Sequence, residues 1–157
     1  MKKINILIVA ATFYKGVAQQ MINSALKYLN DVKNDKYSPK PPIMIKHKII
    51  DVPGVFEIPV VIARNIKKYD GVIALGCVIK GQTPHFDFIS TASTNAIMNL
   101  SVDYKKPIGN GIITCLNMKQ AKARIKKGRD AAKAIVSIIS PEYRWKLLII
   151  PIKTQEL

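Results

Sequence analysis

"GVIALGCVIKGQTPHFDF", Gly71 to Phe88, joins an apolar run to a dense group of turn-forming and hydrogen-bonding residues. Apolar residues in a continuous run of strand length, without alternation, indicate a strand buried on both faces. Sheets covered on both faces are built by strands that alternate with helices. The residues after the run suit such a junction: Gly81 permits a tight turn, Gln82 and Thr83 offer N–H groups and a hydroxyl, and Pro84 suits a first helical position. The rest of the chain can be placed by asking whether it repeats this strand-then-helix pattern.

It does so on both sides. Ile4 to Ala10 is another unbroken apolar run, followed by Val17, Met21, Ala25 and Leu29 at helical spacing. "NDVKNDKYSPKPP", Asn30 to Pro42, is polar and proline-punctuated and reads as a loop. "IMIKHKIIDV" gives the next strand, and Ile58, Val61, Ile62 and Ile66 the next helix, with Pro59 in its first turn. Beyond Phe88, the residues Ile89, Ser93, Ala96, Ile97 and Leu100 share a helical face. Pro107 to Cys115 forms a fourth strand, and Ala132, Ile135, Val136 and Ile139 mark a last helix beyond the basic turn "RIKKGR". The order βαβαβαβα predicts an α/β domain with a four-stranded parallel sheet and right-handed crossovers. We expect one domain over 1–157, with 1–3 and 141–157 as terminal segments.

The charge is lopsided, 25 Lys and Arg against 10 Asp and Glu. Only four of these are arginines (Arg64, Arg124, Arg129 and Arg144), and no basic stripe interleaved with aromatics is present. Arginine is the planar group suited to reading bases and clamping phosphates, so a nucleic-acid partner is disfavoured. Cys77 and Cys115 lie in apolar runs without CxxC spacing, as buried free thiols in a reducing compartment would. The N-terminal run reads as a core strand and not a signal peptide, and no stretch approaches a membrane span. A cytoplasmic protein without membrane contact is expected.

Ligands of open parallel sheets bind beyond the carboxyl ends of the strands. Four stretches are therefore candidates: "ATFYKG", "PGVFEIP", "KGQTPHFDF" and "GNGIIT". None carries a GxGxxG or Walker pattern, and the acids show no metal spacing. A helix start at Gly81–Thr83 can receive phosphate. His85 beside it is placed to move protons. A capped helix with a surface histidine would use the same residues. Glu57 can accept hydroxyl donors or merely face a helix dipole. Phe13 can stack on a planar heterocycle or pack in a core. Arg124 with Lys126 and Lys127 can bind phosphate or form a solvated face. His47 alternates within a strand and reads as structural.

In order, "VPGVFEIP", "ALGCVIKGQTPHFDF", "GNGIIT" and Arg124 with its downstream "KG.DAA" segment closely resemble the lumazine synthase family from Ile4 to Ile139. The resemblance implies a flavodoxin-like three-layer αβα sandwich. It also implies a transferase that condenses 5-amino-6-(D-ribitylamino)uracil with 3,4-dihydroxy-2-butanone 4-phosphate, releasing phosphate and water, without metal or organic cofactor. Formation of the product, 6,7-dimethyl-8-ribityllumazine, is the penultimate step of riboflavin biosynthesis. By the same resemblance Phe13 stacks on the uracil, and Val55, Phe56 and Glu57 hold the ribityl chain. The backbone at Val78 and Ile79 meets the pyrimidine edge, with Cys77 beside them among the substrate-binding residues. Gly81, Gln82, Thr83, Arg124 and Lys127 receive the phosphate, and His85 transfers protons. Asn110 is implied to be lent by a neighbouring subunit of a pentamer. The turn after Arg124 is shorter than is common in the family, so the assignment of Lys127 over Lys126 is open. The short N-terminus and the apolar tail from Glu142 lead us to expect a pentamer or pentamer pair and not a sixty-subunit shell. A flavin- or lumazine-binding relative without catalysis would need Phe13 and Glu57 but neither His85 nor the phosphate loop.

Overall fold

The computed structural model describes residues 1–34 and 43–141. Strand β1 (Lys2–Ala11) leads into α1 (Lys15–Lys33), β2 (Ile43–Val52), a 3-10 turn (Val55–Glu57), α2 (Ile58–Asn65) and a second 3-10 turn (Ile66–Lys68). Then come β3 (Gly71–Ile79), α3 (His85–Tyr104), β4 (Ile108–Cys115), α4 (Met118–Ala123) and α5 (Lys127–Ile139). All strand pairs are parallel and the sheet order is β2-β1-β3-β4. This is the three-layer α/β arrangement expected from the alternating runs.

The unbroken apolar runs are explained by the two faces they serve. In β1, Ile4, Ile6, Ile8 and Ala10 pack with α1 and α5, whereas Leu7, Val9 and Ala11 pack with α2 and α3. In β3, Ile73, Leu75 and Cys77 face the first layer, and Val72 and Ala74 the second. Alternate side chains leave a strand on opposite faces, so both sets must be apolar. Helix α1 is held by Val17, Met21, Ala25, Leu29 and Val32. Each large apolar side chain fully buried in these layers contributes roughly 1.5–3 kcal/mol. Helix α5 approaches α1 so closely that any Cβ at Gly128 would meet the Met21 carbonyl oxygen. Glycine is required there by space.

Several sequence expectations need correction. The Asn30–Pro42 loop begins later, because Val32 is buried and the helix continues to Lys33. Residues 35–42 and the apolar tail from Glu142 lie outside the described residues. Pro84 precedes the first helical residue instead of occupying it. Helix α4 has no counterpart among the expected elements, and α5 starts inside the basic turn. The sequence signal for α4 is "NMKQ": the Asn117 side chain accepts from Gln120 N (2.9 Å) while Gln120 Oε1 accepts from Leu116 N (2.8 Å). Such reciprocal capping starts a helix even where only Ala121 is buried.

Candidate active site

Three strand ends and one helix start meet in a cleft of about 650 Å³. The β1 end supplies Phe13 and Tyr14, whose rings meet edge-on at 4.9 Å. Phe13 is 74% exposed, which a core aromatic would not be. Its position is set by the sheet, since Thr12 N donates to Val52 O (2.9 Å) and extends the β1–β2 ladder past the last paired residues.

The β2 end turns at Gly54 into the 3-10 turn, placing Val55, Phe56 and Glu57 along the cleft. Val55 and Ile58 are buried and anchor the turn, while Phe56 is exposed. Glu57 Oε2 accepts from Gly54 N (3.1 Å), and Glu57 N donates to Gly54 O (3.2 Å). One carboxylate oxygen is thus fixed by the turn, and the other can accept from a hydroxyl-bearing ligand.

The β3 end supplies Cys77, Val78 and Ile79, and α3 opens with His85 and, one turn on, Ile89. Burial, followed by the nearby Cys115 thiol, pushes the Cys77 thiol up to about 12. It is a neutral apolar wall at physiological pH and not a nucleophile. His85 is exposed at the first position of α3, with its imidazole lining the cleft.

Eight of the residues singled out in sequence thus line one cleft: Phe13, Val55, Phe56, Glu57, Cys77, Val78, Ile79 and His85. Gly81, Gln82 and Thr83 form the exposed turn leading to His85 but are not among its walls. Tyr14, Gly54 and Ile89 also line it. Ile89 had a signal, its i+4 relation to His85, and Tyr14 had its adjacency to Phe13.

The remaining candidates lie elsewhere in the chain. Asn110 is not at a strand end: it pairs in register with Ala74, whereas the carboxyl end of β4 pairs Cys115 with Ile79. Its Oδ1 accepts from Ile112 N (3.0 Å), and its side chain stands exposed on the edge strand. "GNGIIT" does not lie at a strand end, because the strand expected over Pro107 to Cys115, observed as Ile108–Cys115, runs through it. Arg124 closes α4, with Nη1 donating to Gln120 O (3.2 Å), and Lys127 begins α5; both are exposed. The cleft walls include no lysine or arginine among the described residues. His47 lies in a separate small depression with Leu26, Leu29 and Lys33. Among the described residues, no cluster of three or more His, Cys, Asp or Glu side chains could hold a metal ion. Nor is any helix among them long and apolar enough to cross a membrane.

The family model for 6,7-dimethyl-8-ribityllumazine synthase matches residues 3–142. A curated protein of that name from Bartonella henselae is 38% identical over 157 aligned residues, covering 94% of each chain. One from Rhodopseudomonas palustris is 40% identical, covering 85% of this chain and 82% of its own. One from Agrobacterium fabrum is 38% identical over 88% of this chain and 95% of its own. With the parallel sheet and the strand-end cleft, these matches establish that the chain belongs to the 6,7-dimethyl-8-ribityllumazine synthase family.

Proposed function

We propose that this chain condenses 5-amino-6-(D-ribitylamino)uracil with 3,4-dihydroxy-2-butanone 4-phosphate in the cytoplasm, without a metal or organic cofactor. The observation that carries the reading is the convergence of an exposed Phe13 ring, the Glu57 carboxylate and the His85 imidazole in one cleft, from three separate strand ends. Phe13 stacks on the pyrimidine. Glu57 accepts from ribityl hydroxyls, and the backbone at Val78 and Ile79 meets the polar edge of the ring. The uracil's primary amine attacks the ketone and water leaves as the imine forms. Phosphate is then eliminated, and ring closure by the second nitrogen releases another water. Holding two reactants in register removes a large entropic barrier. His85 adds proton transfer worth typically ~10²–10⁴-fold.

The phosphate end requires positive charge, and the described cleft walls carry no lysine or arginine. We assign that charge to Arg124 and Lys127 of a neighbouring copy, which also presents Asn110, with the exposed Gly81–Thr83 turn supplying backbone N–H groups. Self-association has its own support on α3. Phe88, Thr91, Asn95, Met98 and Val102 recur at alternating spacings of three and four and are all exposed; Phe88, Met98 and Val102 keep more than half of their surface accessible. Such a seam favours packing against like helices, as around the axis of a pentamer. The test is to mix purified protein with both substrates and follow lumazine fluorescence and phosphate release. Appearance of both above the uncatalysed rate is expected; binding without turnover would contradict catalysis.

A further inference from the structure

The proposed ribityl contact depends on where the Glu57 carboxylate sits, and two glycines, Gly76 and Gly54, pack against the turn that carries it. Gly76 lies in β3 beneath the Val55–Glu57 turn. A Cβ built there would stand 2.6 Å from Val55 Cγ2, 3.3 Å from Ala11 Cβ and 3.4 Å from Ile58 Cδ1. Carbon atoms do not approach to 2.6 Å, so any side chain at Gly76 must lift Val55 or push β3 away from it. Val55 is only 5% exposed and Ile58 fully buried, so the turn is anchored through the side chain that Gly76 accommodates. The next two residues after this anchor, Phe56 and Glu57, both line the cleft.

Gly54 acts from the other side. Its N–H donates to Glu57 Oε2 at 3.1 Å, and a Cβ on Gly54 would itself lie 3.1 Å from that oxygen. The backbone at Gly54 is extended (φ −144°), a conformation open to any residue. The constraint is space beside the carboxylate and not backbone strain.

We propose that Gly76, acting through Val55, and Gly54, acting directly on the carboxylate, are positioning residues that fix Glu57 for a polyhydroxylated chain and thereby set affinity for the ribityl part of the ligand. Neither glycine has a side chain to touch the ligand. The proposal rests on the reading of Glu57 as the ribityl acceptor. It goes beyond that reading by assigning chain recognition to the seat of the turn.

The experiment compares two ligands by fluorescence titration: 6,7-dimethyl-8-ribityllumazine, and 6,7-dimethyllumazine, which has the ring without the chain. Gly76→Ala is expected to weaken the ribityl compound about tenfold, the scale of a hydrogen bond to a charged group, and to leave the chainless ring unchanged. Gly54→Ala disturbs only the carboxylate and is expected to act in the same direction with less effect. It keeps the proposal open to refutation should Gly76→Ala fail to fold. Equal weakening of both ligands, or unchanged affinity in a folded Gly76→Ala, would overturn the positioning role while leaving the site standing. Failure of the unaltered protein to bind either lumazine would instead overturn the site, and the positioning role with it.

Discussion

The segment from β1 to the first turn of α3 and the segment from β4 to α5 use their candidate residues in opposite ways. In the first, three successive strand ends deliver Phe13, Glu57, Val78 and His85 to one cleft. In the second, Asn110 stands on an exposed edge strand and Arg124 and Lys127 on an exposed helix junction, none of them among the walls of that cleft. One half therefore presents a cleft and the other a set of outward-facing polar groups. The contrast teaches that residues of one sequence motif pattern need not meet in one chain's cleft: Asn110, Arg124 and Lys127 lie away from the walls that Phe13, Glu57 and His85 share. In the proposed assembly, the second half of a neighbouring copy completes the cleft.

The largest expected effect comes from separating the copies. Met98→Asp with Val102→Asp places two charges on the exposed α3 seam without touching the core. Sedimentation should show a folded monomer, and turnover should fall by about 10³-fold or more, because reactants are no longer held in register. A folded monomer that retains full turnover would show the cleft to be complete alone. His85→Ala should lower kcat by about 10²-fold or somewhat more while leaving product affinity unchanged, read by steady-state kinetics and titration. Loss of all activity with assembly intact would give His85 a larger share than positioning. Arg124→Ala should raise the KM for the butanone phosphate by about ten- to a hundredfold and spare that for the uracil, the scale of a charge-assisted phosphate contact.

The smallest effect concerns Cys77. Its folded-state pKa of about 12 lies above the ordinary thiol value near 8.5, so the unfolded chain loses its proton first as pH rises. Cys77 should therefore leave stability untouched below about pH 8 and subtract from it progressively at higher pH. Thermal melts of the parent and of Cys77→Ala from pH 7 to pH 10 should converge as pH rises. A constant gap between them would contradict the perturbed thiol.

Much of the fold was legible because the sheet is buried on both faces, which writes unbroken runs into β1 and β3 and helical stripes into α1 and α5. Helix α4 was not legible from periodicity, since six residues with one buried alanine leave no stripe; only its Asn117–Gln120 capping pair could have marked it. The walls of the cleft agree with the rule that ligands sit beyond strand carboxyl ends. Asn110 falls outside it, because β4 runs past that residue to Cys115. Gly54 and Gly76 escaped notice for a different reason: their contribution is the space they leave, which a sequence does not display.

The composite site is tested most directly by subunit complementation. His85→Ala and Arg124→Ala chains, each nearly inactive alone at subsaturating butanone phosphate, are unfolded together, refolded in equal amounts and assayed. In a ring of head-to-tail contacts, about a quarter of the junctions then pair an intact His85 cleft with an intact Arg124 from the neighbour, so turnover should recover to about a quarter of the original. If mixed assemblies form but are no more active than the average of the two variants, Arg124 serves its own chain's cleft and the two-copy account is wrong.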